Sequence, residues 1–137
     1  ELDIAEDLPK VWADPIRLSQ ILINLVNNAH KYSDNGTEIN IGATVEENQV
    51  NDLYNQNVVH LWVKDSGIGI KPEDQKKIFQ KFFRSEDPKA REVPGTGLGL
   101  NITKSMVELQ GGSIWFESEF RKGSIFHLFI PINMEKN

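Results

Sequence analysis

Two glycine-punctuated segments carry residue types that could handle a nucleotide. Asp65-Ser66-Gly67-Ile68-Gly69 follows the apolar run Val58-Val59-His60-Leu61-Trp62-Val63, which predicts a strand. Gly95-Thr96-Gly97-Leu98-Gly99-Leu100 opens an apolar-periodic stretch that predicts a helix. Glycines at such junctions let the backbone approach a ligand closely and tolerate positive φ. A glycine-rich start to a helix also aims free N–H groups at an anion, where the helix dipole favours negative charge. A carboxylate at one loop and a phosphate-friendly backbone at the other point to a ligand with a base at one end and phosphates at the other.

A third group of residues lies on a helix. Asp14-Pro15 is a good helix start, with an acceptor at the cap and proline at the first position, and the helix is expected to run to about Tyr32. At about 100° per residue, Leu18, Ile21, Leu22, Leu25 and Ala29 form its core stripe. Gln20, Asn24, Asn28 and Lys31 form a second, polar stripe. Two amide oxygens one turn apart can hold a hard cation or its water shell, and Lys31 can reach a phosphate from the same side. Asparagine is a mediocre helix former, so Asn24, Asn27 and Asn28 together look like a concession to something other than stability; the plain alternative is a solvated helix face.

The remaining elements must position these groups. Glu1 to Ile4 and Val11 to Ala13 read as short extended pieces, and Thr37 to Glu46 and Val58 to Lys64 as strands joined by an exposed polar connection, Glu47 to Asn57. Lys71-Pro72-Glu73-Asp74 starts a short helix reaching about Phe82, followed by a mobile charged loop, Arg84 to Pro94. A second long helix covers about Gly97 to Gln110 and stops at Gly111-Gly112. Ser113 to Ser118 and Ser124 to Ile132 read as the last strands, joined through Arg121-Lys122-Gly123. The expected architecture is α+β: a mixed sheet covered on one face by helices, all in one domain spanning residues 1–137.

Composition narrows the partners. With net charge −5, the chain is a poor candidate for non-specific nucleic-acid binding, which rests on Lys and Arg neutralising phosphates. An anionic ligand needs a local cationic patch, for which Lys31, Arg84, Lys89 and Arg91 are candidates. There is no cysteine, which removes disulfides and thiolate metal sites and fits a reducing compartment. No apolar run is long enough to span a membrane, and no signal peptide is visible. A chain that starts inside a strand pattern without Met is expected to be a piece of a longer protein.

Four blocks, in order, resemble the catalytic and ATP-binding domain of sensor histidine kinases, in the superfamily of gyrase-type and heat-shock-chaperone ATPases. Gln20 to Ser33 (QILINLVNNAHKYS) resembles the asparagine box, and Asp65 to Ile70 (DSGIGI) the first glycine box. Phe79 to Arg84 (FQKFFR) resembles the phenylalanine box, and Gly95 to Leu100 (GTGLGL) the second glycine box. The resemblance implies a two-layer α/β sandwich with a mobile ATP lid. It implies that Asp65 accepts a hydrogen bond from the adenine amino group while Gly67, Gly69 and Ile70 pass beneath the base, with Tyr32 and Ser124 nearby. Asn28, with Asn24 beside it, would hold Mg²⁺, and Lys31 would contact phosphate. Gly95, Thr96, Gly97, Leu98, Gly99 and Leu100 would form the phosphate side, and Arg84 would stabilise charge on the transferring phosphoryl group. Phe79, Phe82 and Phe83 read as hydrophobic anchors for the lid, with Lys89 and Arg91 as weaker lid contacts.

The same resemblance implies a protein histidine kinase that uses ATP and Mg²⁺. Its partners would be an upstream dimerisation and phosphoacceptor domain and a response regulator, in a homodimeric parent that many relatives anchor in a membrane while this domain stays cytoplasmic. His30 lies in the asparagine box, and His60 and His127 lie in strand patterns, so all three read as packing or surface residues rather than as the phosphoacceptor. Related hydrolases carry a glutamate where Asn24 stands, and an amide cannot take a proton at neutral pH, which favours phosphotransfer over rapid hydrolysis. Other readings are a gyrase-type ATPase, a docking module without catalysis and a serine kinase. There is no G-x-x-x-x-G-K-[ST] loop, no G-x-G-x-x-G fingerprint, and no H-R-D or D-F-G sequence.

Overall fold

The computed structural model describes residues 2–4, 15–33, 36–49, 55–81, 83–84 and 99–131. The expected extended piece at Val11 to Ala13, the cap Asp14, most of the predicted lid, Phe82, Lys89, Arg91 and Gly95 to Leu98 lie outside those residues.

Helix α1 (Pro15–Lys31) forms where the apolar stripe recurs at helical spacing. Ile21, Leu25 and Ala29 are buried in the core, with Leu18 and Val26 packed at its margin. Burying that stripe offsets the low helix propensity of the three asparagines. His30 and Lys31 occupy the last turn, where the helix dipole favours positive charge.

The strands are β1 (Leu2–Ile4), β2 (Ile39–Gln49), β3 (Asn55–Asp65), β4 (Ser113–Glu119) and β5 (Gly123–Pro131), with helix α2 (Gly99–Leu109) between β3 and β4. They form one mixed sheet in the order β1-β2-β3-β5-β4; β1 runs parallel to β2 and all other pairs are antiparallel. The β2–β3 ladder runs from Ile39 opposite Asp65 to Gln49 opposite Asn55. The ladder therefore takes in Glu47 to Gln49 and Asn55 to Asn57 from the two ends of the connection expected at Glu47 to Asn57, because polar residues continue it through backbone bonds.

Side-chain alternation divides the sheet into two faces. Ile39, Ile41, Leu61, Val63, Ile114, Phe116, Phe126, Leu128 and Ile130 meet α1 and α2 in the core. Trp62, His60, His127, Phe129 and Trp115 point the other way. From α2, Thr103, Met106 and Val107 are buried. The helix stops as expected: Gly111 adopts φ +78°, Gly112 N donates to Val107 O (3.0 Å), and Gly111 N donates to Glu108 O (3.0 Å).

One predicted element changes character. Residues 71–81 form successive tight turns instead of a helix: Asp74 N donates to Lys71 O, Lys77 N to Asp74 O and Gln80 N to Lys77 O at 2.8 to 2.9 Å, and Phe83 N donates to Gln80 O at 3.2 Å. These bonds close on the residue three back, and Ile78 is driven into the core between them. Phe79 and Phe83 anchor the segment as expected: Phe79 meets Phe116 and Phe126 at ring-centroid distances of 5.9 and 6.5 Å.

Candidate functional site

Asp65 ends β3, the strand with both neighbours long and antiparallel, opposite Ile39 on one side and Ser124 on the other. Its residue surface is only 8% exposed. Its Oδ1 accepts from Gly67 N at 2.9 Å, and the carboxylate also accepts from the Ser124 backbone. Burial pushes the Asp65 carboxyl above the ordinary carboxylate range, and those two backbone donors pull it only part of the way back. A carboxylate held in this way has lone pairs to offer a further donor, and an amino group on a flat base is one that fits.

The loop after Asp65 is fastened on both sides. Toward α1, Ile68 N donates to Tyr32 O at 3.0 Å, and a Cβ on Gly67 would collide with that same carbonyl. Toward β4 and β5, Arg121 N donates to Ile68 O, and Gly69 (φ +72°) passes so close to the Glu119 carbonyl that a side chain there would strike it. The two glycines are thus required by close backbone approach as much as by any ligand.

Sequence reasoning missed the fastenings themselves. Ser118 Oγ accepts from Ile70 N (2.8 Å) and lies 3.1 Å from Gly123 O and 2.8 Å from Ser124 Oγ. Donation to Gly123 O and acceptance from the other two saturate that hydroxyl. Gln75 Nε2 donates to Ile70 O (3.2 Å) and to Ser118 O (3.3 Å). A signal for Ser118 existed: it follows Ile114 and Phe116 on the inward side of a strand, where a polar residue needs a partner. Gln75 gave none, because its partners lie in other elements.

Asn24, in the polar stripe of α1, faces α2. Asn24 Oδ1 accepts from Gln20 Nε2 (2.9 Å), and Asn24 Nδ2 donates to Thr103 Oγ1 (3.3 Å), whose own hydroxyl donates to Gly99 O (2.8 Å). Asn24 therefore links α1 to the first turn of α2. Asn28 is half-buried one turn further on and Lys31 is exposed, toward the end of α1 that meets the Asp65 loop. Ser124 is buried beside Asp65. Ile70 and Leu100 pack against the core, so their side chains support the walls, and Arg84 is half-buried after Phe83. Gly95, Thr96, Gly97 and Leu98 fall outside the described residues. Among the described residues no three His, Cys, Asp or Glu side chains converge on one position, so a cation held here would rest on amides and on the oxygens of its ligand.

A central strand ending in a buried carboxylate, a glycine loop pinned to the end of α1 and a second helix tied to α1 through Asn24 and Thr103 make an α+β domain with a candidate nucleotide site. The chain belongs to the family described as histidine kinase-, DNA gyrase B-, and HSP90-like ATPase, which matches residues 13–134. Within it, the chain is an ATP-binding domain of the sensor histidine kinase type. It is 39% identical over 137 residues to signal transduction histidine-protein kinase BarA of Escherichia coli strain K12, covering 99% of this chain and 14% of BarA. The chain thus spans about one seventh of that relative. Among solved structures, the catalytic domain of histidine kinase ThkA aligns with TM-score 0.67 and 34% identity, over 95% of this chain and 76% of that one. Full-length ShkA in complex with AMPPNP aligns with TM-score 0.70 and 27% identity, over 99% of this chain and 27% of that one.

Proposed function

We propose that this domain binds Mg-ATP and delivers its γ-phosphoryl group to a histidine on a separate dimerisation domain of a longer, homodimeric cytoplasmic or membrane-anchored kinase, from which a response regulator then takes it. The observation that carries this reading is the buried Asp65 carboxylate at the end of β3, with the end of α1 bonded to its loop. Asp65 accepts the adenine amino group, and the Gly67–Gly69 backbone, with Tyr32 and Ser124, borders the base. Lys31 meets a phosphate, and the N-terminal turn of α2 offers its free N–H groups to the same tail. The ShkA likeness supports this placement, since that protein was solved with an ATP analogue.

The amide donor set fits a hard cation that keeps part of its water shell. Asn28 would hold Mg²⁺, with Asn24 beside it. When bound, the ion neutralises charge on the β- and γ-phosphates. Asn24 is already engaged with Gln20 and Thr103, has no basic atom, and so leaves water unactivated. Arg84 approaches the phosphoryl group as negative charge develops on it. The test is to mix this chain with radiolabelled ATP, Mg²⁺ and a histidine-bearing dimerisation hairpin from a relative such as BarA. Acid-labile, base-stable label on the hairpin supports the proposal; label released only as inorganic phosphate overturns it in favour of a hydrolase.

A further inference from the structure

Helix α2 is fastened along two flanks. Toward α1, Thr103 Oγ1 accepts from Asn24 Nδ2 at 3.3 Å. Toward the segment of tight turns, Asn101 Nδ2 donates to the backbone carbonyl of Phe79 at 3.1 Å, and Lys104 Nζ lies over the Phe79 ring, 5.2 Å from its centroid. Positions i and i+3 are neighbours on a helix surface, so Asn101 and Lys104 grip the same residue, one by its backbone and one by its ring. The Phe79 ring is itself wedged against Phe116 of β4 and Phe126 of β5, and Ile78 beside it is buried. The grip therefore closes on a segment already seated in the core.

An asparagine in the first turn of a helix ordinarily bonds to backbone groups close by in the chain. Asn101 instead reaches a carbonyl 22 positions earlier. The bond also decides which way the amide points, since only its Nδ2 side can donate to an oxygen. The Asn101 side chain thus serves the register between α2 and the Phe79 segment rather than its own helix. Groups assigned to the phosphate tail stand at the two ends of this link. Gly99, just before Leu100 and Asn101, opens α2, whose free N–H groups face that tail in the proposed site. Arg84 follows Phe83, which packs on the core and closes a turn back onto Gln80, the neighbour of Phe79.

We propose that Asn101 is a positioning residue for phosphoryl transfer: its bond to Phe79 O sets how far Arg84 stands from the phosphate end of the nucleotide. In this role Asn101 touches neither nucleotide nor acceptor and acts through the segment that carries Arg84. In the transfer itself a histidine ring nitrogen bonds to Pγ as the bond from Pγ to the β-phosphate oxygen breaks; ADP leaves with that electron pair, and the proton lost from the ring goes to solvent. The role rests on the phosphotransfer reading and on Arg84's part in it, and it adds a residue that lies in none of the four sequence blocks.

Single-turnover transfer of label from ATP to the histidine-bearing hairpin tests this, with ATP affinity read by calorimetry and folding by thermal melts. Asn101→Leu keeps the size of the side chain and removes its donor. It should slow transfer about three- to tenfold, the worth of one neutral hydrogen bond, while ATP affinity changes less than about twofold. In an Arg84→Ala background the same substitution should add almost nothing, because the residue through which it acts is gone. An equal further loss in that background overturns the proposal and leaves the kinase reading standing. So does a loss of affinity as large as the loss of rate, or a folded Asn101→Leu chain that transfers as fast as the parent. Should Asn101→Leu melt the domain, Asn101→Ala, with the best helix former, carries the same comparisons. A parent chain that leaves the hairpin unlabelled sinks the phosphotransfer reading, and an Arg84→Ala chain as fast as the parent sinks the Arg84 role; either takes the role of Asn101 with it.

Discussion

Replacing Asp65 with asparagine should separate stability from nucleotide recognition. The carboxylate is 8% exposed, and burial outweighs the two backbone N–H groups that favour its charge. Folding therefore favours the neutral form more than the unfolded chain does, and asparagine is a close neutral isostere that can still accept from Gly67 N. Unfolding free energy at pH 7 should stay within about 1 kcal/mol of the parent or rise above it, against the usual destabilisation by core substitutions. The sign follows from proton counting. A raised native carboxyl binds more protons than the unfolded one just above 3.8, so its contribution is fully present below that value and is lost as pH rises through the native value. The advantage of Asp65→Asn at pH 7 should then vanish toward pH 3. ATP affinity behaves oppositely. One charge-assisted hydrogen bond, worth about 1.5–3 kcal/mol, is lost and an amide N–H₂ can face the adenine amino group, giving roughly ten- to a hundredfold weaker binding. The same N–H₂ can donate to a guanine carbonyl, so preference for ATP over GTP should narrow. Urea titrations followed by tryptophan fluorescence and calorimetric titration with each nucleotide measure both. Unchanged ATP affinity would refute the adenine role, and a stability loss above about 2 kcal/mol at pH 7 would refute the reasoning from burial.

Ser118→Ala leaves Ile70 N without its acceptor and should cost about 1–3 kcal/mol, with weaker ATP binding although residue 118 has no assigned contact with ATP; thermal melts and nucleotide titration check it. Gly69→Ala combines φ +72° with a collision against the Glu119 carbonyl and should cost at least about 2 kcal/mol, read by urea unfolding. Arg84→Ala should slow phosphotransfer about a hundredfold while changing ATP affinity little, so equal losses in single-turnover rate and affinity would remove its transition-state role. Asn28→Ala should weaken ATP binding when Mg²⁺ is present more than when it is chelated, and calorimetry under both conditions decides.

The chain sequence revealed most of what lies along single elements. The strand ending at Asp65, the apolar stripe of α1 and the stop at Gly111 each depend on neighbours a few residues apart, so they were readable. The segment at 71–81 was not, because Pro72, Glu73 and Asp74 are equally good openings for a helix or for tight turns. The choice between them is made by tertiary contacts, with Ile78 and Phe79 in the core and Gln75 reaching back to Ile70. The polar end of the β2–β3 hairpin gave no apolar alternation to mark it as strand. His60 and His127 each looked like ordinary packing in a strand; they are 67 positions apart, and only the sheet order brings their rings together.

Strand β4 is the outermost rail of the sheet, and it carries Ser118. That rail has one side with no strand beside it among the described residues. An extended peptide that zipped onto it would therefore sit a single side-chain bond from the Asp65 loop proposed to meet the base. A brake or accelerator on nucleotide capture could thus be installed from the periphery, by pulling on the border of the sheet, without touching the pocket at all.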